Sequence, residues 1–209
     1  DGRPTARGVA GVRVPFNIEH RYITVPDEDS KASALVSALT HLKPRNVLAI
    51  LPDYAGVSAA AWLERLRAEG FADACLLHEA MGFPTRAQQA DTVSPRRTAD
   101  LLSELSHMRA SASAGEAPLQ RDGGDVSLAP LPRLLLTTAA SARGIDLPNL
   151  DCVALLFCPL TSDSYLHLAG RTGRAFNGGV ALSVLSREEQ RRLGLFTSQL
   201  GVKIKQWRA

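Results

Sequence analysis

Two arginines three residues apart, Arg171 and Arg174, end the run HLAGRTGR and enclose Thr172 and Gly173. A guanidinium keeps its charge at any physiological pH, and its planar fork of donors matches the oxygens of a phosphoryl group, so the pair suggests a phosphate clamp. A solvated basic face is the bland alternative. Upstream, TTAASARGID offers a second set. The Thr138 hydroxyl and the Gly144 amide can hold a phosphate oxygen, and Asp146 presents two acceptors of the kind that fix ribose hydroxyls. Alone, that set is also what a plain strand-to-helix turn carries. No loop for the phosphate itself accompanies either set: G-x-x-x-x-G-K-[ST] does not occur, and no lysine follows a glycine. His20, His41, His78, His107 and His167 show no ligand spacing, so no metal site is expected. A small-molecule enzyme on a generic doubly wound fold finds no acid/base pair or nucleophile set to support it.

The elements that must position these residues alternate. RYITVP reads as a strand, followed by a helix over DEDSKASALVSALTHL with Ser30 as its N-cap. The acidic PDED before it suits a helix N-terminus better than magnesium binding. NVLAILP reads as a strand buried on both faces. SAAAWLERLRAEG places Ala59, Trp62, Leu63 and Leu66 on one helical face and stops at Gly70, which makes Trp62 a core residue. Further strands follow at ACLLHE, PRLLLTTA, LDCVALLF and GGVALSVLS. A last helix opens on the capping box Ser186-Arg-Glu-Glu189 and aligns Leu193, Phe196 and Leu200. Strands too apolar to face water, alternating with helices, argue for an α/β fold with a parallel sheet covered on both faces.

A chain of 209 residues, 45% apolar and 22% charged, fits one large domain or one domain with an insertion. It contains no run of eighteen apolar residues, so no membrane partner is expected, and its first residues lack the apolar middle of a secretory signal. Because it does not begin with Met, it reads as a processed product or a piece of something longer. A net charge of +3 permits a nucleic-acid partner without arguing for one. The three cysteines have no C-x-x-C spacing and sit in apolar stretches, which suggests buried reduced thiols and an intracellular, reducing compartment.

Residues 1–19 read as an extended arm or linker, 20–202 as the domain and 203–209 as a basic tail. One stretch, about 92–131, breaks the alternation: a helix capped by Ser94 with Pro95 at its first position, then a Ser-, Ala-, Gly- and Pro-rich loop. The loop is close to charge balance, so a protein partner fits it better than RNA. In the tail, Trp207 among Lys203, Lys205 and Arg208 could stack on a base, anchor in a partner, or pack back on its own domain.

Taken together, the two polar sets resemble motifs V and VI of the second RecA-like domain of superfamily-two helicases, most closely the DEAD-box RNA helicases. The resemblance runs from about Tyr22 to Val202 and is densest between Leu134 and Val184. Thr138, Arg143, Gly144 and Asp146 match T-x-x-x-x-R-G-x-D, and His167, Gly170, Arg171, Gly173 and Arg174 match H-R-x-G-R-x-G-R. The resemblance implies that Thr138 and Gly144 approach the RNA backbone, that Asp146 binds the nucleotide ribose, and that Arg143 and His167 act between domains. It makes Arg171 and Arg174 arginine fingers. LLHEAMGFPTR resembles H-G-x-x-x-Q-x-x-R and places Arg86 on RNA, with Arg97 as the rival register.

By this resemblance the fold is RecA-like and the activity is ATP-dependent RNA remodelling. ATP and RNA would bind between this domain and a first RecA-like domain that carries the phosphate loop and most of the Mg2+ ligands. The missing loop is then the other half of a split site, and the chain alone is not an enzyme. Leu168 in place of the first arginine, Phe83 in place of a glutamine, Ala139 where an aspartate is frequent, and a motif IV (LAILPDY) without its usual Phe and Thr depart from the pattern. They keep open an alternative, a degenerate helicase domain used as an assembly module in a ribonucleoprotein complex.

Overall fold

The computed structural model describes residues 17–54, 57–80, 133–142, 147, 150–174 and 178–208. The strands are β1 (Ile18–Thr24), β2 (Asn46–Leu51), β3 (Cys75–Leu76), β4 (Arg133–Thr138), β5 (Cys152–Leu155), β6 (Gly179–Leu185) and β7 (Ile204–Gln206), of which β2, β5 and β6 are apolar runs buried on both faces. Between them lie α1 (Ser30–Leu42), α2 (Ala59–Ala68), α3 (Leu77–Ala80), α4 (Ala139–Ala142), α5 (Ser162–Ala169) and α6 (Arg187–Leu200). Every pairing is parallel, in the order β3-β4-β2-β5-β6-β1-β7. The α/β parallel sheet expected from the sequence is therefore present.

Strand periodicity divides the core in two, because successive side chains leave a strand on opposite faces. Val47, Ala49 and Leu51 pack with Leu35 and Leu39 of α1 and with Trp62 and Leu66 of α2. Leu48 and Ile50 point the other way, toward Tyr165 and Leu166 of α5 and Leu193 and Phe196 of α6. Trp62 is core, as its spacing predicts. None of the described helices is long and apolar enough to cross a membrane. Cys152 and Cys158 are buried free thiols pushed up to about 12 by burial, whereas Cys75 is only half-buried.

Four boundaries differ from the expectation. Ser30 does not cap α1; Asp29 before it is already helical, with φ −70° and ψ −30°. The cap is Asp27, whose Oδ1 accepts from the Ser30 amide at 2.8 Å and its hydroxyl at 2.7 Å. The strand at ACLLHE lasts two residues before α3 begins, so His78 sits on a short helix. The first strand starts at Ile18, a core residue, so Asn17–Glu19 belong to the domain rather than to an arm. The tail is not free: Ile204–Gln206 pair with His20–Tyr22, and the Trp207 amide donates to the Tyr22 carbonyl at 2.7 Å. Trp207 packs on its own domain, with the Arg21 guanidinium 4.7 Å above its ring. The segment 92–131, with the helix expected after Ser94, and residues 1–16 lie outside the described residues.

The capping box of α6 forms as predicted and also does something the sequence did not announce. Glu189 accepts from the Ser186 amide at 2.9 Å, from the Cys158 amide at 3.1 Å and from the Lys31 ammonium at 2.9 Å. Lys31 is 0% exposed, and its other donors reach the Leu156 carbonyl (2.9 Å) and Glu28 (2.7 Å). Burial would raise the Glu189 carboxyl, but these donors outweigh it and hold it below the usual range. Glu189→Ala strips the buried ammonium of its better-shielded counter-charge, and should cost about 3–5 kcal/mol in urea unfolding. A loss under about 1 kcal/mol would show that Glu28 and the Leu156 carbonyl suffice.

Candidate functional site

The connection β5–α5 sets where the arginines go. Thr161 caps α5, its hydroxyl accepting from the Ser164 amide at 3.1 Å, and the helix runs back from the carboxyl edge of the sheet. Tyr165, Leu166, Leu168 and Ala169 are buried, while His167 faces solvent. The helix stops at Ala169, and Arg171 and Arg174, both half-buried, follow on a turn. The turn is closed by amide bonds from Arg171 to the Leu168 carbonyl (3.2 Å) and from Thr172 to the Ala169 carbonyl (3.3 Å). Arg174 Nε donates to the Gly170 carbonyl at 3.3 Å.

Neighbouring strands then pin the turn. The Thr172 hydroxyl, 1% exposed, donates to the Leu150 carbonyl at 2.5 Å, just ahead of β5. Asn17 Nδ2 donates to the Gly173 carbonyl at 2.6 Å, just ahead of β1. Gly173 has φ +70°, the left-handed region, and a Cβ there would lie 2.5 Å from Ile18 Cγ1. A Cβ on Gly179, the first residue of β6, would collide with the Thr172 hydroxyl and stand 2.6 Å from the Gly173 amide nitrogen. These glycines are therefore required by close approach, and the arginine turn lies at the amino edge of the sheet.

Thr138 lies at the opposite edge, at the carboxyl end of β4. Its hydroxyl accepts from the Ser141 amide at 3.4 Å and donates to the Ser141 hydroxyl at 3.3 Å, long bonds that start α4 and are easily exchanged for a ligand oxygen. Thr138 and the arginines are thus kept apart, with the sheet between them. The chain joins the two edges through residues 143–149, of which Leu147 alone is described and is buried. Arg143, Gly144 and Asp146, like Arg86, Arg97 and Phe83, lie outside the described residues.

Beside the turn, a cleft of about 530 Å³ opens along the amino edge, lined in part by Asn17, Glu19, Lys43, Arg45, Asp151 and Gly178. Its charges are of both signs, and Asp151 is already engaged by the Arg45 and Asn46 amides, so it is no polyphosphate pocket by itself. Among the described residues no group of three or more His, Cys, Asp or Glu could hold a metal ion. The amino edge offers cations and a shaped surface.

Sequence reasoning missed Asn17, Ile18, His20 and Tyr165. His20 of β1 is 3% exposed, and its Nδ1 lies 2.8 Å from the Tyr165 hydroxyl of α5. Burial lowers the imidazole to about 4 and raises the phenol. The signal was available, since a histidine in alternation with Ile18 and Tyr22 falls on a core face.

Comparison with known proteins agrees with this layout. The family model for the helicase conserved C-terminal domain matches residues 129–176, which hold Thr138, both arginines and the whole of α5. DEAD-box ATP-dependent RNA helicase CshC of Bacillus cereus is 42% identical over 69 residues, 33% of this chain and 18% of that protein. The matched part spans between 10% and 18% of the curated relatives. Among solved structures, the Escherichia coli DEAD-box protein SrmB, bound to regulator of ribonuclease activity A, superposes with a TM-score of 0.62 at 20% identity, covering 92% of this chain and 91% of that one. Saccharomyces cerevisiae Dbp5 bound to RNA and ADP BeF3 gives 0.60 at 18% identity, covering 91% and 41%. At these identities the superpositions show the fold, and it is the RecA-like fold.

Two outcomes follow for the turn and its support. Gly179→Ala should destabilise the domain by about 2–4 kcal/mol, because the new methyl meets a buried hydroxyl and a backbone amide rather than a yielding side chain. Gly194→Ala, with open space around its Cβ, is the matched control, and equal melting points would refute the close approach. The second outcome concerns pH. His20 has a folded pKa below its unfolded value, so the unfolded chain binds the extra proton and stability falls as pH drops from about 6.5 to about 4. The full effect is about 3 kcal/mol. His20→Gln should flatten that part of a melting-temperature profile, and an unchanged slope would assign the acid sensitivity to other groups.

Proposed function

We propose that this chain is the C-terminal RecA-like domain of a DEAD-box-type helicase and that it supplies the arginine side of a split ATP site in an ATP-dependent RNA-remodelling enzyme. The observation that carries the proposal is the arginine turn: two permanent cations on a segment pinned from β1, β5 and β6, with no phosphate loop in the chain. A first RecA-like domain would bring that loop and most of the Mg2+ ligands. The bound metal would neutralise developing charge on the phosphates. On closure, Arg171 and Arg174 would meet the γ-phosphoryl group, where donors held in place before the reaction cost no reorganisation. Asp146 would take the ribose hydroxyls, and Arg143 and His167 would contact the first domain.

RNA would lie at the carboxyl edge, with Thr138, Gly144 and Arg86 on its backbone. Backbone contacts of this kind fix position without reading sequence, as suits a remodelling enzyme. RNA and ATP would then act on opposite edges of one sheet. The same sheet would couple them.

Arg171→Ala in the protein that includes the phosphate-loop domain should lower RNA-stimulated ATP turnover by ~10³ or more. RNA affinity, a property of the other edge, should stay within about twofold. Steady-state turnover at saturating RNA and a filter-binding titration decide the point. Wild-type protein without RNA-stimulated turnover would instead leave the chain as an assembly module of a ribonucleoprotein complex.

A further inference from the structure

We propose that residues at the start of β1, Asn17 just ahead of the strand and His20 within it above all, are positioning residues for the arginine turn, and so set the turnover of the ATP site without touching ATP. The inference rests on the reading of Arg171 and Arg174 as fingers and extends it to side chains outside the matched segment.

Three contacts carry it. Asn17 Nδ2 donates to the Gly173 carbonyl at 2.6 Å, directly before Arg174. Ile18 fills the space that a side chain at position 173 would need. His20 meets the Tyr165 hydroxyl at 2.8 Å, inside the core, and so fixes the last turns of α5 against β1. The Asn17 carbonyl also accepts from the Gly179 amide at 3.1 Å, so one residue clamps both ends of the arginine loop. Left to itself, a segment with Gly170, Gly173, Gly178 and Gly179 has high backbone freedom, since glycine loses most entropy on being fixed. An arginine finger needs the opposite, a guanidinium fixed before the phosphoryl group arrives. Sequence-distant β1 provides that constraint through a hydrogen bond, an apolar contact and a buried polar pair.

The buried pair also suits the task electrically. At neutral pH both partners are uncharged, the imidazole because burial lowers it to about 4 and the phenol because burial raises it. A neutral tie adds no charge to a site whose purpose is to present two cations.

The test uses Asn17→Ala and Asn17→Asp, the second keeping size but losing the donor, with His20→Leu and His20→Gln as a second pair. In the protein with the phosphate-loop domain, both Asn17 variants should lower kcat about ten- to a hundredfold, the range for a misplaced catalytic group, with KM for ATP and RNA affinity within about twofold. His20→Gln, which can still bond Tyr165, should retain more kcat than His20→Leu. In this chain alone, hydrogen exchange should speed at the Arg171 and Thr172 amides in Asn17→Ala and stay unchanged in β2 and β5. Wild-type kcat in both Asn17 variants, with Arg171→Ala inactive, would overturn the brace and leave the fingers standing. Faster exchange throughout the sheet would reduce Asn17 to a structural residue and overturn it too. Unchanged turnover in Arg171→Ala would overturn the finger reading itself, and the brace with it.

Discussion

The domain depends on one buried ammonium. Lys31 enters the structure from α1, which lies on one face of the sheet, and meets Glu189 of α6, which lies on the other. Between them passes the chain leaving β5, held by the Leu156 carbonyl on Lys31 and by the Cys158 amide on Glu189. A charge with no exposure is tolerable only when every donor is met, and here three acceptors meet three donors. Apolar packing holds each helix to its own face of the sheet. It does not fix helices on opposite faces relative to each other, and the ion pair over the carboxyl edge does.

With that edge fixed, the geometry of the other follows. The segment leaving β5 determines where Thr161 caps α5, the length of α5 determines where the turn begins, and the turn falls at the amino edge beside β1 and β6. A displacement at the Lys31–Glu189 clamp would therefore reach Arg171 and Arg174 through a rigid helix rather than through a loop. Packed interiors transmit small displacements in this way because they have little free volume.

Much of this was legible in the residues, and the reasons are local. Val47 to Leu51, the stripe Trp62, Leu63, Leu66, and the Ser186–Glu189 box each contain their own signal within one turn or strand. The two polar sets were legible only as a pair, since each alone is also what a solvated basic face or a plain strand-to-helix turn carries. What stayed hidden was long-range or competitive. Ser30 looked like a cap, but Asp27 reaches its amide with a charged acceptor, and the stronger acceptor wins. KIKQWRA looked like a tail because a three-residue strand has no periodicity to detect; only pairing with β1 and burial of Trp207 define it. Asn17 and His20 were passed over for the same reason, since their partners lie 156 and 145 residues away.

Leu168 departs from the helicase pattern the sequence resembles, yet it serves the packing of α5. It is 5% exposed and belongs to the cluster with Val153, Ala181 and Tyr165, so the side chain at this position points into the core rather than at the turn. An arginine here would have to extend past that cluster to reach solvent or a ligand; leucine buries fully and strengthens the packing of α5. Whatever contact the family's arginine makes is given up, but the helix that leads into the turn of Arg171 and Arg174 is held by this packing. The position of Arg171 and Arg174 depends on where α5 ends, and that is set by packing at Leu168 and by bonds at Thr172 and Gly173. The substitution therefore removes one charge from the set while preserving the placement of the two that remain.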